Sequence, residues 1–412
     1  MTAGTTRAEE KPGARAGGSR NRNRLKLHTF WNSLANNIAS PFVGFNITAS
    51  GASDILIGYV QAISTLASGV SQLIGGSIAD RTGKRVAITI LFSLVTGVLW
   101  VGSAFFQTPT FLAISFTAIT LAIGLYSAGW TAVVGEAYEG RAKGSYLSTF
   151  ARLTSAGALI ALIMTTTITA FYPSYFVLYL LSGIFFAISA IILKGQKEQA
   201  VQPRALSGTE ARDLRKYYLV TGFYGVFWGF AWPLFTITTV KIVRMSLFEY
   251  SFSQVIAVAS TIAFQPLMGR LVDRDHRRGV FWGRMGLVVY PLTYMVFSAP
   301  WQVYAVNAFS GITNGLLNVA FVAYLYDISP AGHRGKYSAE FNLVTGISTM
   351  AGSLTAAYAL SILSVQNSLW TSLAYLYVIA ALGRGAAAFI HLKLPYNGKI
   401  QSANDEAPRL KA

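Results

Sequence analysis

The charged residues that could do chemistry in this chain stand in short clusters, the first being GSIADRTGKR at 76–85. An Asp at a helix end can accept from the unpaired N–H groups that open a neighbouring helix, where the macrodipole favours negative charge, and Asp80 is placed for that role. Arg81, Lys84 and Arg85 can pair with an acid at another helix end, while Gly76 and Gly83 allow close helix approach and a tight turn. The bland alternative is that the three bases act only as orientation signals. A second cluster, GRLVDRDHRR at 269–278, puts Asp273, Arg277 and Arg278 where the first has Asp80, Lys84 and Arg85, an offset of 193 residues. One loop later Glu136, Gly144 and Tyr146 have the spacing of Asp327, Gly335 and Tyr337, the two glycines standing 191 residues apart. Two motifs at nearly one offset mark an internal duplication.

Arg152 is the sharpest single residue. It lies eight residues past Gly144, about 12 Å along a helix, among residues that read as membrane-spanning. A charge at such a depth costs roughly 2.5–3.5 kcal/mol, so it should face a cavity or a partner. A guanidinium fork matches carboxylate or phosphate, which makes Arg152 a candidate anion ligand. The competing role is a structural bond to backbone carbonyls or to Glu340. Neutral polar groups also fall at helical spacing: Ser33, Asn36 or Asn37, Ser40 and Gly44 on one segment, and Asn307, Gly311, Asn314 and Asn318 on another. Tyr126 and Trp130, and Tyr224, Trp228 and Trp232, add aromatic faces. Amides beside aromatic rings suit sugars, amphiphiles or other ring-containing solutes. For any one Asn, an inter-helix hydrogen bond is an equal alternative.

These residues need elements to hold them, and the composition says which. Hydrophobic residues make up 53% of the chain and charged residues only 12%, whereas soluble domains carry about 25% charged residues. Apolar runs of bilayer length occur at about 27–48, 55–78, 86–107, 110–134, 145–171, 174–194, 217–240, 249–272, 279–299, 301–326, 337–363 and 368–394. Segments of this length in lipid must be α-helical, because only a helix satisfies its own backbone there. The fold class is therefore an all-α membrane protein with about twelve transmembrane helices. Its expected layout is a disordered basic cytoplasmic tail at 1–26, a six-helix bundle at 27–194, a cytoplasmic linker at 195–216, a second six-helix bundle at 217–394 and a cytoplasmic tail at 395–412.

Lys and Arg orient the helices, since cytoplasmic loops are enriched in them. Alternate connections carry Arg81 to Arg85, Arg141 and Lys143, Lys194 to Lys216, Arg270 to Arg278, and Arg334 with Lys336, whereas the opposite side carries only Lys241 and Arg244. Both termini are expected in the cytoplasm, with the chain in the plasma membrane. The net charge of +17 sits beside apolar segments, so anionic lipid headgroups are the expected partners and nucleic acid is not.

At the 76–85 motif the sequence resembles the major facilitator superfamily, whose hallmark between helices 2 and 3 is Gly-x-x-x-Asp-Arg-x-Gly-Arg/Lys-Arg/Lys. Gly76, Asp80, Arg81, Gly83, Lys84 and Arg85 all match it; the second copy departs, with His276 where a Gly is expected. The resemblance implies two pseudo-symmetric six-helix bundles and transport by alternating access. It implies that Asp80 meets the start of helix 11 and that its basic neighbours reach Glu136, with Asp273, Arg277, Arg278 and Asp327 as the mirrored set, holding the cytoplasmic side shut. It also implies a central cavity lined mainly by helices 1, 4, 7 and 10. Arg284 and Arg384 would lie on peripheral helices, snorkelling or bonding between helices.

The implied function is secondary transport of a small organic solute, by efflux of amphipathic or drug-like compounds or by uptake of polar or anionic metabolites. A non-transporting receptor or scaffold is the less favoured class. Enzymatic activity is not expected: there is no Cys for thiolate chemistry, no P-loop, no G-x-S-x-G and no His/Glu pair at metal spacing. No metal or cofactor is expected, and the chain should act as a monomer. No Asp or Glu falls near the middle of a span, so proton coupling through a mid-membrane carboxylate is not supported.

Overall fold

The computed structural model describes residues 12–136, 143–196, 211–272, 276–328 and 334–393. Every segment expected to span the bilayer is helical. The first is α1 (Pro12–Ala39), a 3-10 turn at Ser40–Phe42 and α2 (Val43–Ala49), the helix being interrupted where Pro41 lacks an N–H. There follow α3 (Asp54–Thr82), α4 (Arg85–Phe105), α5 (Pro109–Glu136), α6 (Lys143–Phe171) and α7 (Tyr175–Ile192). The second series is α8 (Ala211–Ile237), ending in a π turn at Thr238–Ile242, then α9 (Leu247–Val272), α10 (His276–Gly286), α11 (Val289–Tyr294), α12 (Pro300–Ile328), α13 (Arg334–Gln366) and α14 (Leu369–His391). The ninth expected segment is thus two helices, broken at 287–288. Pro291 removes the N–H that would have bonded the Leu287 carbonyl one turn back.

Among the described residues nine helices are long and apolar enough to cross a membrane. The first and ninth segments are interrupted as described. The tenth, α12, has 29 residues, about 43 Å of helix, which is ample length. Helix ends follow local chemistry. Ser53 caps α3 by accepting from the Leu56 N–H at 3.3 Å, and Ser368 caps α14 by accepting from the Thr371 N–H at 3.1 Å. Gly83 ends α3 in the left-handed region at φ 66° with its N–H on the Ala79 carbonyl, the conformation for which a residue without Cβ is favoured.

Helices α1 to α7 pack chiefly on one another, as do α8 to α14, and the two sets meet along α3 against α13 and α6 against α9. The α3–α13 seam is tight because small residues line it. Ser353 Oγ donates to the Gly58 carbonyl at 2.7 Å, and Asn342 Nδ2 donates to Gln72 Oε1 at 2.9 Å. At Gly69 a Cβ would stand 2.8 Å from the Asn342 backbone, so the helices could not approach as they do with a larger residue. On the other seam Thr169 and Ser251 share a hydrogen bond at 3.2 Å.

Candidate functional site

Between the two sets lies a cavity of about 360 Å³, within the range usual for small-molecule sites. Its walls are Ser40, Pro41 and Gly44 from the first segment, Val60, Gln61 and Ser64 from α3, Phe116 from α5, and Trp232, Phe235, Thr236 and Thr239 from α8 and its π turn. Tyr250 and Gln254 of α9, Tyr290 and Tyr294 of α11, and Val303 and Asn307 of α12 complete it. Among the described residues no lining side chain is a carboxylate, an amine, a guanidine or an imidazole. The polar surface is hydroxyl and amide; the rest is largely aromatic. Such a wall can hydrogen-bond and stack on a neutral ring-bearing molecule, and its described side chains offer no counter-charge to an ion.

The lining groups tie one another in place. Gln61 Nε2 donates to Thr236 Oγ1 at 2.5 Å across the boundary between the sets, and Tyr290 donates to Asn307 Oδ1. Asn307 in turn donates to the Ser253 carbonyl at 3.3 Å. Trp228 meets Trp232 edge to face at 5.1 Å, and Phe235 packs on Tyr290 and Tyr294 at 4.8 and 4.7 Å. Toward the end where α3 and α9 begin, the cavity is capped. Tyr250 donates to the Pro41 carbonyl at 3.4 Å and stacks on Phe45 at 4.5 Å, and Lys241 Nζ pairs with Asp54 Oδ1 at 3.1 Å. Among the described residues no His, Asp or Glu group is placed to hold a metal.

Two of the expected binding residues, Trp232 and Asn307, line this cavity. Trp228 stands behind Trp232. Asn36 accepts from Ser40 Oγ at 2.9 Å and so touches a lining residue, whereas Asn37 turns back to the Ser33 carbonyl at 2.8 Å within its own helix. Tyr126 is 3% exposed and bonded to Asn32, an α1–α5 contact and not part of the lining. Trp130 packs on the His28 ring at 4.2 Å. Tyr224 is buried beneath Arg284, whose Cζ sits 4.2 Å from the ring centroid. Asn314 is half-buried, two helical turns from Asn307 on α12, and the Asn318 side chain lies outside what the structure describes.

Arg152 is exposed, lies outside the cavity lining and makes no hydrogen bond or ion pair among the described residues. Glu340, its expected structural partner, accepts from Tyr218 OH at 3.1 Å instead. Arg284 and Arg384 are buried, 2% and 1% exposed, and so do not snorkel; they bond between helices. The principal wall residues that residue spacing did not single out are Gln61, Gln254, Tyr250, Tyr290 and Tyr294. Their signal was an amide or phenol in an apolar segment. α11 enters the wall because Pro291 breaks its segment there.

At the 76–85 motif, Arg81, Gly83 and Lys84 are exposed, and Gly76 and Arg85 are half-buried. The side chains of Asp80, Glu136 and Asp327 lie outside what the structure describes, as does Asp273 altogether. In the second copy Arg278 is exposed, and Arg277 donates to the Leu392 carbonyl at 3.0 Å, joining the start of α10 to the end of α14.

A model of the Major Facilitator Superfamily matches residues 27–216 and again 217–411. The chain belongs to that superfamily. Similar solved structures include an auto-inhibited POT family peptide transporter, with TM-score 0.76 and 11% identity over 91% of this chain and 97% of that one. The nucleoside transporter NupG gives TM-score 0.73 and 10% identity over 91% and 99%. A bacterial homolog of the human lysosomal transporter Spinster, inward-facing and occupied, gives TM-score 0.67 and 10% identity over 93% and 97%. At such identities these likenesses establish a shared transporter fold and nothing about the solute. A search among curated proteins gave no match.

Proposed function

We propose that the chain is a secondary transporter that moves a small, uncharged, hydrogen-bonding solute bearing a ring, by alternating access through the cavity between its two bundles. The observation that carries this is the lining: amides of Gln61, Gln254 and Asn307 and hydroxyls of Ser40, Ser64, Thr236 and Thr239 beside the rings of Trp232, Phe235, Tyr250, Tyr290 and Tyr294, with no formal charge among the described residues. An anion or a cation entering such a wall would lose its hydration without a counter-charge, which costs several kcal/mol in a low-dielectric site. The uncharged wall favours neutral metabolites over the anionic solutes that Arg152 suggested. A lipophilic cation would gain attraction from the ring faces but leave the amides and hydroxyls unpaired, so a hydrogen-bonding solute fits the wall better.

Transport requires the cavity to open to each side in turn. The capped end is the one with few Lys and Arg, hence the outside, and the cytoplasmic motif, with Asp80 and the bases around it, serves the opposite closure. Both termini then lie in the cytoplasm and the chain resides in the plasma membrane. The test is uptake into proteoliposomes of radiolabelled uridine, D-glucose, a neutral dipeptide, benzoate and tetraphenylphosphonium, with Trp232→Ala and Asn307→Ala alongside. Uptake of a neutral ring compound, lost in both variants, is the expected result. Uptake of benzoate or tetraphenylphosphonium alone, unchanged in both variants, would overturn the assignment.

A further inference from the structure

Arg384 stands on α14 and is not among the residues lining the cavity, yet its three donor nitrogens end on α8 and on the break between α10 and α11, two segments that lead into one side of it. NH1 donates to the Leu287 carbonyl at 3.0 Å, NH2 to the Trp228 carbonyl at 3.0 Å and Nε to the Phe227 carbonyl at 3.3 Å. Leu287 is the residue whose carbonyl is left without its helical donor by Pro291. The guanidinium therefore replaces a missing backbone N–H at the break between α10 and α11. Phe227 and Trp228 precede Pro233, the proline inside α8, by six and five residues. The close approach of α14 to α8 needs the glycine next door, since a Cβ on Gly383 would collide with the Phe227 ring.

The helices so joined carry the aromatic wall. α8 supplies Trp232 and Phe235, α11 supplies Tyr290 and Tyr294, and the two meet through Phe235, whose ring lies 5.5 Å from the Arg384 Cζ. A lone ammonium cannot reach three carbonyls that the planar fork reaches from three nitrogens. We infer that Arg384 is a positioning residue for the solute site: it pins the proline-broken α10–α11 segment to α8 and so sets the spacing of the wall made by Trp232, Phe235, Tyr290 and Tyr294. This rests on the cavity being the solute site only for its consequence in transport; the wall geometry is tested without any solute.

The chain has no Cys, so Thr239→Cys gives a single thiol on the wall, and its rate of modification by methanethiosulfonate ethylammonium in the reconstituted protein reports the packing. Arg384→Gln should raise that rate severalfold and lower the thermal midpoint. Adding Pro291→Ala gives Leu287 a backbone donor again. The double variant should recover the midpoint but keep the fast rate, because α8 and α11 remain untied. Arg384→Lys, which keeps the charge, should also label fast, and it serves if Arg384→Gln does not insert. An unchanged rate in Arg384→Gln or Arg384→Lys overturns the inference, and so does a wild-type rate in the double variant, which would make Arg384 no more than a carbonyl's substitute donor. Altered labelling with unaltered uptake in Trp232→Ala would instead fault the assignment of the cavity and leave the positioning role standing.

Discussion

Lys241 Nζ stands 3.1 Å from Asp54 Oδ1, joining the π turn that ends α8 to the first residue of α3 and so closing one set of helices onto the other above the cavity. The side chains are 34% and 16% exposed, so water screens the pair and its contribution is at most about 1 kcal/mol. That is still roughly fivefold in a two-state population. Asp54→Asn should therefore raise the labelling of a Ser64→Cys thiol by an impermeant reagent added outside, by up to that factor. The exchange Asp54→Lys with Lys241→Asp should return it to the starting rate, and high salt should shrink the difference. Equal labelling in all three proteins would show that the pair does not hold the outer closure.

The helical body was legible in the sequence because lipid-length apolar runs and paired motifs need no tertiary knowledge to find. The cavity was only partly so. Helical spacing identifies a polar stripe on a segment but not which neighbour the stripe meets, and Asn37 and Tyr126 spend their hydrogen bonds on their own bundle. Tyr290 and Tyr294 reach the wall through a helix break. Pro291 shows that break only when the orphaned Leu287 carbonyl is followed to Arg384. The resemblance put Arg384 on a peripheral helix, and a buried guanidinium bonded to carbonyls has no pairing acid in the sequence that would choose its interhelical role over snorkelling.

Orientation rests on the distribution of Lys and Arg and is directly testable. In the Cys-free chain, single cysteines at 198 and 405 should react only with reagent on the cytoplasmic side, and those at 52 and 366 only from outside. The reverse pattern would invert the sidedness and place the Lys241–Asp54 closure toward the cytoplasm.

The loop after α3 offers two separable effects. Gly83 at φ 66° meets no neighbour that a Cβ would strike, so Gly83→Ala acts through backbone strain alone, about 1 kcal/mol. It should lower the thermal midpoint by a few degrees and spare uptake. Asp80→Asn should do the opposite, reducing uptake strongly with insertion and midpoint kept, if Asp80 caps a helix start in the closed cytoplasmic state. Normal uptake in Asp80→Asn would reduce the motif to a topology signal.

Arg152 decides between a neutral and an anionic cargo. A guanidinium that binds substrate should tolerate Lys badly, because the ammonium keeps the charge and loses the paired donors. Arg152 lies outside the lining and has no partner among the described residues, so the neutral-solute assignment expects Arg152→Lys and Arg152→Gln to leave KM for a neutral ring compound within about twofold, an unchanged uniform-binding contribution. Stability should hold as well. Removing one partner of a buried pair costs about 3–5 kcal/mol, but Glu340 is already bonded to Tyr218, so Glu340→Gln should show no compensating interaction with Arg152→Gln in a double-mutant cycle. A large rise in KM for Arg152→Lys, seen for benzoate and absent for uridine, would instead place an anion beside Arg152 and sink the neutral-cargo reading.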